Sequence, residues 1–191
     1  MKKFYFLLTI LFIFVGSLYA QNEIFTSFGA GLTVPISDLE KSHKLGFNVG
    51  ANAGLAFDKM FGGRVDLQYN SLPYKNSSYG SFEITGDPIT IVTFGADVVI
   101  SDFKKIRKKE VFIPYGFAGL SYLYAKAGDS KYGGLTITTE RDSKLALGIG
   151  GGAIYKFTEN IGISAELKYS VTLGGNQVNY IPLRVSLSYI P

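Results

Sequence analysis

From Ile161 to Leu173 every second residue is apolar or amphipathic: Ile161, Ile163, Ala165, Leu167, Tyr169, Val171 and Leu173. Between them stand Gly162, Ser164, Glu166, Lys168, Ser170 and Thr172, all small or polar. Strict alternation makes a strand with one greasy and one wet face, whereas a helix would scatter the same residues around its circumference. At about 3.3 Å per residue the stretch is about 43 Å long, or about 33 Å tall when tilted by about 40°. Soluble strands usually run to roughly five or six residues. This one is long enough to cross a bilayer.

Seven further segments carry the pattern. The first is Ile24–Val34, with Ile24, Thr26, Phe28, Ala30, Leu32 and Val34 opposite Ser27, Gly29, Gly31 and Thr33. The second, Phe47–Phe57, sets Phe47, Val49, Ala51, Ala53, Leu55 and Phe57 against Asn48, Gly50, Asn52, Gly54 and Ala56. Asp58–Met60 turns tightly into the third, Phe61–Asn70, where Val65, Leu67 and Tyr69 oppose Arg64, Asp66, Gln68 and Asn70. The fourth, Ile89–Ile100, sets Val92, Phe94, Ala96, Val98 and Ile100 against Thr93, Gly95 and Asp97. The fifth, Val111–Tyr124, is apolar on both faces, so its parity stays open; a bulge near Gly116 or Gly119 would account for this. The sixth, Lys144–Phe157, places Leu145, Leu147, Ile149, Ala153, Tyr155 and Phe157 opposite Ala146, Gly148, Gly150 and Gly152. The segment described above is the seventh. The eighth is Tyr180–Tyr189, with Ile181, Leu183, Val185, Leu187 and Tyr189 against Arg184, Ser186 and Ser188.

Long connections (about 35–46, 71–88 and 125–143) interleave with short ones (58–60 and 158–160), the rhythm of bacterial barrels with long external loops and short periplasmic turns. The fourth-to-fifth connection, 101–110, is longer than a turn needs, and the last external loop, 174–179, is short. Prolines fall in loops or near strand ends, where a missing N–H does least harm. The fold expected is all-β: a single eight-stranded antiparallel up-and-down transmembrane β-barrel.

Parity alone does not say which face points inward. The polar face is also the glycine face, and glycine weakens a strand unless crowding on a concave side demands it. The bulky face carries Phe57, Phe61, Tyr155, Phe157 and Tyr189 near strand ends, an aromatic girdle at one rim. Apolar out and polar in is therefore preferred over a soluble calyx. The interior then holds a polar network of Arg64, Asp66, Asp97, Glu166, Lys168 and Arg184. Facing lipid at mid-depth, each basic group would cost about 2–4 kcal/mol. Inside, Arg64 can pair with Asp97 and Glu166 with Arg184. Since an eight-stranded barrel is about filled by its own side chains, a salt-bridged plug is favoured over a gated conduction path.

Composition narrows the alternatives. The 191 residues include 23 glycines, 15% aromatics and no cysteine or tryptophan. The glycines are dispersed, unlike those of a low-complexity segment. Lacking cysteine, the chain forms no disulfides or thiolate metal sites. No long apolar run follows the N-terminal segment, so no membrane helix is expected. At the N-terminus Lys2 and Lys3 precede the apolar stretch Phe4–Val15 and the small-residue site ending at Ala20, the form of an export signal. Cleavage there gives a signal peptide at 1–20 and a barrel domain at 21–191. Export removes two of the 19 basic residues, leaving 17 against 15 acidic, too even a balance for a nucleic-acid partner.

The segments FTSFGAGLTVPI, LGFNVGANAGLAF, FGGRVDLQYN, PYGFAGLSYLY, LALGIGGGAIYKFTENIGISAELKYS and IPLRVSLSY together resemble the outer-membrane β-barrel domain family, the small porin-family barrels. The likeness runs from about Ile24 to Tyr189. It implies residence in the Gram-negative outer membrane, contact with outer-membrane lipid and insertion by the barrel assembly machinery. That machinery reads an alternating final strand with a terminal aromatic, here Leu183, Val185, Leu187 and Tyr189, with Ile190 and Pro191 trailing. The family pattern supplies no catalytic or binding residues. No domain is expected after the eighth strand.

Candidate chemistry is sparse. His43, the only histidine, sits in the first external loop, with Ser71, Ser77, Ser78, Ser81 and Glu83 on the next. A lipid A-modifying group of histidine, serine and carboxylate can be imagined from these, but no spacing supports it, and a solvated loop histidine is the simpler reading. Neither a catalytic nor a metal site is expected, nor any cofactor. Lys104, Lys105, Arg107, Lys108 and Lys109 form the densest charge run, read as a solvated hairpin tip, with contact to acidic envelope polymer or lipid phosphate as the sharper alternative. Tyr79, Phe82, Tyr132 and Ile137 on the second and third external loops either pack together or face a surface ligand. The reading reached is a structural or surface-interaction barrel without catalytic activity. The alternatives are a narrow porin for small or apolar solutes and an accessory of an envelope secretion machine.

Overall fold

A computed structural model describes residues 23–79, 82–106, 108–109, 111–132, 135–137, 141–174 and 177–191. The expected signal peptide at 1–20 lies outside them. Twelve strands follow in chain order: β1 (Glu23–Ile36), β2 (Gly46–Ala56), β3 (Phe61–Leu72), β4 (Ser77–Tyr79), β5 (Phe82–Gly86), β6 (Ile89–Ser101), β7 (Val111–Lys126), β8 (Ser130–Tyr132), β9 (Leu135–Ile137), β10 (Arg141–Lys156), β11 (Ile161–Thr172) and β12 (Asn179–Tyr189). Eight of them close into an antiparallel barrel in the order β1-β12-β11-β10-β7-β6-β3-β2. No helix among the described residues is long and apolar enough to cross a membrane, which says nothing of a barrel that would cross with strands.

The two long connections after β3 and β7 are not simple loops. Their short strands pair as a separate four-stranded sheet in the order β4-β5-β8-β9. Alternation over three to five residues is too brief to announce such strands, so they escape sequence reading. A five-residue helix, α1 (Asp38–Ser42), occupies the first connection.

Burial follows the pleat. Phe28, Leu32, Phe94, Ile149, Val185 and Leu187 are exposed on the outward face. Their sequence neighbours point into the barrel and are covered by the opposite wall. β7 settles its parity without a bulge: its register runs unbroken from Val111↔Lys156 to Lys126↔Arg141 against β10, and from Thr90↔Lys126 to Ser101↔Tyr115 against β6. The expected irregularity near Gly116 or Gly119 is absent. Ile113, Phe117, Ser121, Leu123 and Ala125 point inward, and Phe112, Leu120 and Tyr122 outward.

This strand is apolar on both faces because the interior is layered. Near the short-turn end, Phe25, Val99, Phe103, Ile106, Ile113, Ile154 and Ile190 pack together inside the barrel. Near the long-loop end, Leu39, Leu72, Ile89, Ile91, Leu123 and Tyr180 form a second apolar layer. The polar residues lie between them.

The 101–110 connection contributes to the first layer, which corrects the picture of a solvated hairpin tip. Its 3-10 helix, Phe103–Lys105, turns Phe103 into the barrel mouth, where the ring stacks on Phe25 with centroids 6.0 Å apart. Ile106 is buried beside it. Among its described residues the charged heads face water: Lys105 pairs with Asp102 at 3.5 Å and Lys109 with Glu159 at 2.9 Å. The Lys109 ammonium holds the Glu159 carboxyl below its ordinary range. Arg107 lies outside the described residues.

Candidate functional site: a ring of charge across the lumen

Arg64 and Asp66 stand two residues apart on β3 and so share its inward face, as do Glu166 and Lys168 on β11. Asp97 comes from β6, directly opposite Arg64 in the ladder, and Arg184 from β12, directly opposite Glu166. In the closed order, β2 and β1 separate β3 from β12, while β7 and β10 separate β6 from β11. The two groups therefore occupy opposite walls. All six are nearly excluded from solvent.

They meet in a closed circuit of alternating sign. Arg64 Nε donates to Asp97 Oδ2 at 3.0 Å and Nη1 to Glu166 Oε2 at 2.7 Å. Arg184 Nη2 donates to both Glu166 Oε1 and Asp66 Oδ2, the latter at 2.8 Å. Lys168 Nζ donates to Asp97 Oδ1 at 3.1 Å and lies 3.9 Å from Asp66 Oδ1, closing the circuit. Every charge thus has two neighbours of opposite sign, and the six sum to zero. Buried charges persist only when paired and hydrogen-bonded in this way.

The partners beyond the ring are neutral. Tyr115 donates its hydroxyl to Glu166 Oε2 at 3.0 Å, and Gln68 Nε2 donates to Asp66 Oδ1 at 2.7 Å. The Arg64 guanidinium carbon sits 3.8 Å from the centre of the Phe117 ring, a cation–π contact. Glycines on β2 and β10 make room for the long cations. A Cβ at Gly50 would fall 2.0 Å from Arg184 Nη1, and one at Gly148 would fall 2.3 Å from Lys168 Cε.

Above and below, the filling continues. Towards the loops, Asn48 Nδ2 donates to Thr33 Oγ1 at 3.1 Å, and Thr33 donates to Asn70 Oδ1 at 2.7 Å. Towards the turns, the Ser188 hydroxyl lies 2.9 Å from Ser27 and 3.0 Å from Ser164. Below the ring a cavity of about 20 Å³ is lined by Arg64, Tyr115, Asn52 and Phe103. That is space for about one water molecule.

Pattern alone does not find several interior residues. Tyr115 and Phe117 sit on the strand whose parity is ambiguous. Lys156 ends β10 and reads as a turn lysine, yet it is buried and donates its ammonium to the Ile106 carbonyl. The five aromatics read as a girdle, Phe57, Phe61, Tyr155, Phe157 and Tyr189, are all exposed near the short turns, and Phe112 joins them.

His43 is not solvated. It is buried where the connections after β1 and β3 meet, pairs with Tyr74 in an isolated bridge, and meets the Tyr74 ring edge-on at 5.6 Å between centroids. Its Nδ1 lies 2.9 Å from Ser42 Oγ. Burial pushes the imidazole below its ordinary 6.5. The side chains of Ser77, Ser78, Ser81 and Glu83, and those of Tyr79, Phe82, Tyr132 and Ile137, lie outside the described residues. Among the described residues no cluster of histidines and carboxylates could hold a metal ion.

The model of the outer membrane protein beta-barrel domain matches residues 8–190. Nothing among curated proteins matches the sequence. Among solved structures, Ail, the attachment invasion locus protein of Yersinia pestis, is 20% identical with a TM-score of 0.56, over 89% of this chain and 99% of its own. Ail has also been solved with the heparin analogue sucrose octasulfate. Neisserial surface protein A is 20% identical with a TM-score of 0.56, over 87% of this chain and 95% of its own. The N-terminal β-barrel domain of Pseudomonas aeruginosa OprF is 14% identical with a TM-score of 0.54, over 90% and 100%. These likenesses are of fold.

Proposed function

The chain belongs to the outer membrane protein beta-barrel domain family and resides in the outer membrane, and on that premise we propose that it is a closed, non-catalytic barrel. In this reading the lumen is a plug that ties opposite walls together, and the contacts that matter to the cell are made at the surface. The ring of Arg64, Asp97, Lys168, Asp66, Arg184 and Glu166 carries the reading. It occupies the middle of the lumen, and apolar layers seal both ends. A hydrated ion passing through would have to break a buried circuit, and removing one partner of a buried pair costs about 3–5 kcal/mol.

The surface-interaction role draws on the sheet β4-β5-β8-β9, which extends the chain beyond the barrel on the long-loop side. The other partners in this reading are acyl chains along the outward face and, during insertion, the assembly machinery reading the β12 stripe of Leu183, Val185, Leu187 and Tyr189.

Planar-bilayer recording on the pure folded protein tests the plug. The expected result is a silent membrane. Discrete, reproducible openings would favour the narrow porin instead.

A further inference from the structure

The outward face of the barrel is uncharged almost everywhere. On β1, β2, β3, β6, β11 and β12 it presents aliphatic, aromatic, small or neutral polar residues only. Two charged residues break this, Lys126 at the end of β7 and Arg141 at the start of β10. Both are exposed, and they are register partners, directly opposite one another across the β7–β10 ladder. Like charges placed opposite in adjacent strands, with Cβ atoms about 5 Å apart, destabilise a sheet. Among the described residues no carboxylate pairs with either.

Their height explains what could offset the repulsion. Four residues below, Tyr122 and Leu145 face each other with about half their surface exposed, the upper edge of the apolar belt on these strands. Tyr124 and Ser143 form the rung between. Four residues span about 13 Å of strand, or about 10 Å of height at the tilt of a small barrel. Two flexible cations therefore emerge about one headgroup's depth above the acyl boundary, on the long-loop side. The exposed cations of the opposite end, Lys59, Lys104, Lys108 and Lys109, lie in the connections between strands, not on the barrel wall.

We infer that Lys126 and Arg141 form a docking site for the phosphate of an outer-leaflet lipid, with Tyr122 and Leu145 against its acyl chain. Phosphate accepts hydrogen bonds from both cations at once, turning a repulsive pair into a bridged one. The matched apolar surface directly beneath selects a phosphate that carries a chain. The inference needs the barrel's place in the membrane but not its closed lumen, so a conducting barrel would leave it standing.

The test is native mass spectrometry of the full folded chain titrated with bis-phosphorylated lipid A and with its dephosphorylated form. Each cation near a membrane surface contributes roughly fivefold, so Lys126→Gln with Arg141→Gln should weaken binding of the phosphorylated lipid about 25-fold. Lys126→Arg with Arg141→Lys should retain it, as should Lys44→Gln, an exposed loop cation elsewhere. For the wild type, raising salt should weaken binding of the phosphorylated lipid and leave the dephosphorylated lipid unaffected, a readout that survives if the double variant does not fold. Binding unchanged in a folded double variant, or equal affinity for the two lipids, would overturn the inference. So would competition by inorganic pyrophosphate at the same concentration, which would mark a site for free anions rather than for a lipid.

Discussion

Arg64 and Glu166 sit on opposite walls of the barrel, 102 residues apart in the chain, and meet at 2.7 Å in its centre. Neither is the other's ladder partner. Their contact converts two cross-strand pairs, Arg64 with Asp97 and Glu166 with Arg184, into one circuit that spans the lumen. The energetic meaning of the ring lies in this connection, because loss of one member leaves uncompensated charge on both neighbours.

Glu166→Gln should therefore destabilise the barrel by about 3–5 kcal/mol, since Arg64 and Arg184 each lose an anion. Arg64→Met with Glu166→Gln should cost less than the two single changes summed. Urea unfolding in lipid vesicles, followed by the gel shift on heating, gives the coupling energy. Strict additivity would mean that the two side chains do not interact.

Gly148→Ala places a methyl group against the Lys168 stem and should cost about 1–3 kcal/mol. In a Lys168→Ala background the added cost should shrink, because the obstructing Cε is gone. The same unfolding assay reads this, and an equal cost in both backgrounds would place the crowding elsewhere.

Much of this was legible in the residues themselves. β11 announces its two faces because Ile161, Ile163 and Leu167 alternate with Ser164, Glu166 and Lys168. The two ladder pairs of the ring could be foreseen because alternation puts their members on one face of neighbouring strands within a register step, and the ladder sets them directly opposite. Their joining across the lumen could not, since alternation reports only which face a residue takes and never which wall it reaches. The parity of β7 was hidden for a related reason. Ile113 and Leu123 belong to the apolar ends of the interior and look no different in sequence from Leu120 and Tyr122, which face outward. A single polar stripe was the expectation, and three layers are what an interior with two ends to seal requires.

The segment after β6 shows what charge density conceals. Lysines dominate it, yet its energetic content is Phe103 and Ile106. Phe103→Ala should cost about 3–5 kcal/mol by opening a cavity beneath the ring. Lys104→Gln, on an exposed side chain of the same segment, should change stability by no more than about 0.5 kcal/mol. Parallel unfolding curves of the two variants check the contrast.

His43 links α1 to the second external connection, and its burial sets a sign for pH. The folded imidazole titrates below 6.5 because burial disfavours its charged form, so between that folded value and 6.5 the unpacked loop binds the proton more readily. Packing of the two connections is unaffected above 6.5 and weakens as pH falls through that value. The amides of Lys44 and Lys75, which donate to the carbonyls of Pro73 and Ser42 across this contact, should lose protection on acidification once the base-catalysed intrinsic rate is divided out, and His43→Phe should remove the loss. Exchange that speeds up on raising pH beyond the ordinary base-catalysed trend would contradict the assignment.

The chain has no cysteine, so single cysteines can report which face of one strand meets lipid. Spin labels at Leu167→Cys and Ser164→Cys, on opposite faces of β11, would be compared in lipid nanodiscs by their collision rates with oxygen and with a water-soluble nickel complex. Leu167 should be relaxed strongly by oxygen and hardly by nickel, while Ser164 should be shielded from both by the filled interior. Strong nickel relaxation at Leu167, or free access of nickel to Ser164, would contradict a barrel that turns its apolar stripe to acyl chains and closes its charges inside.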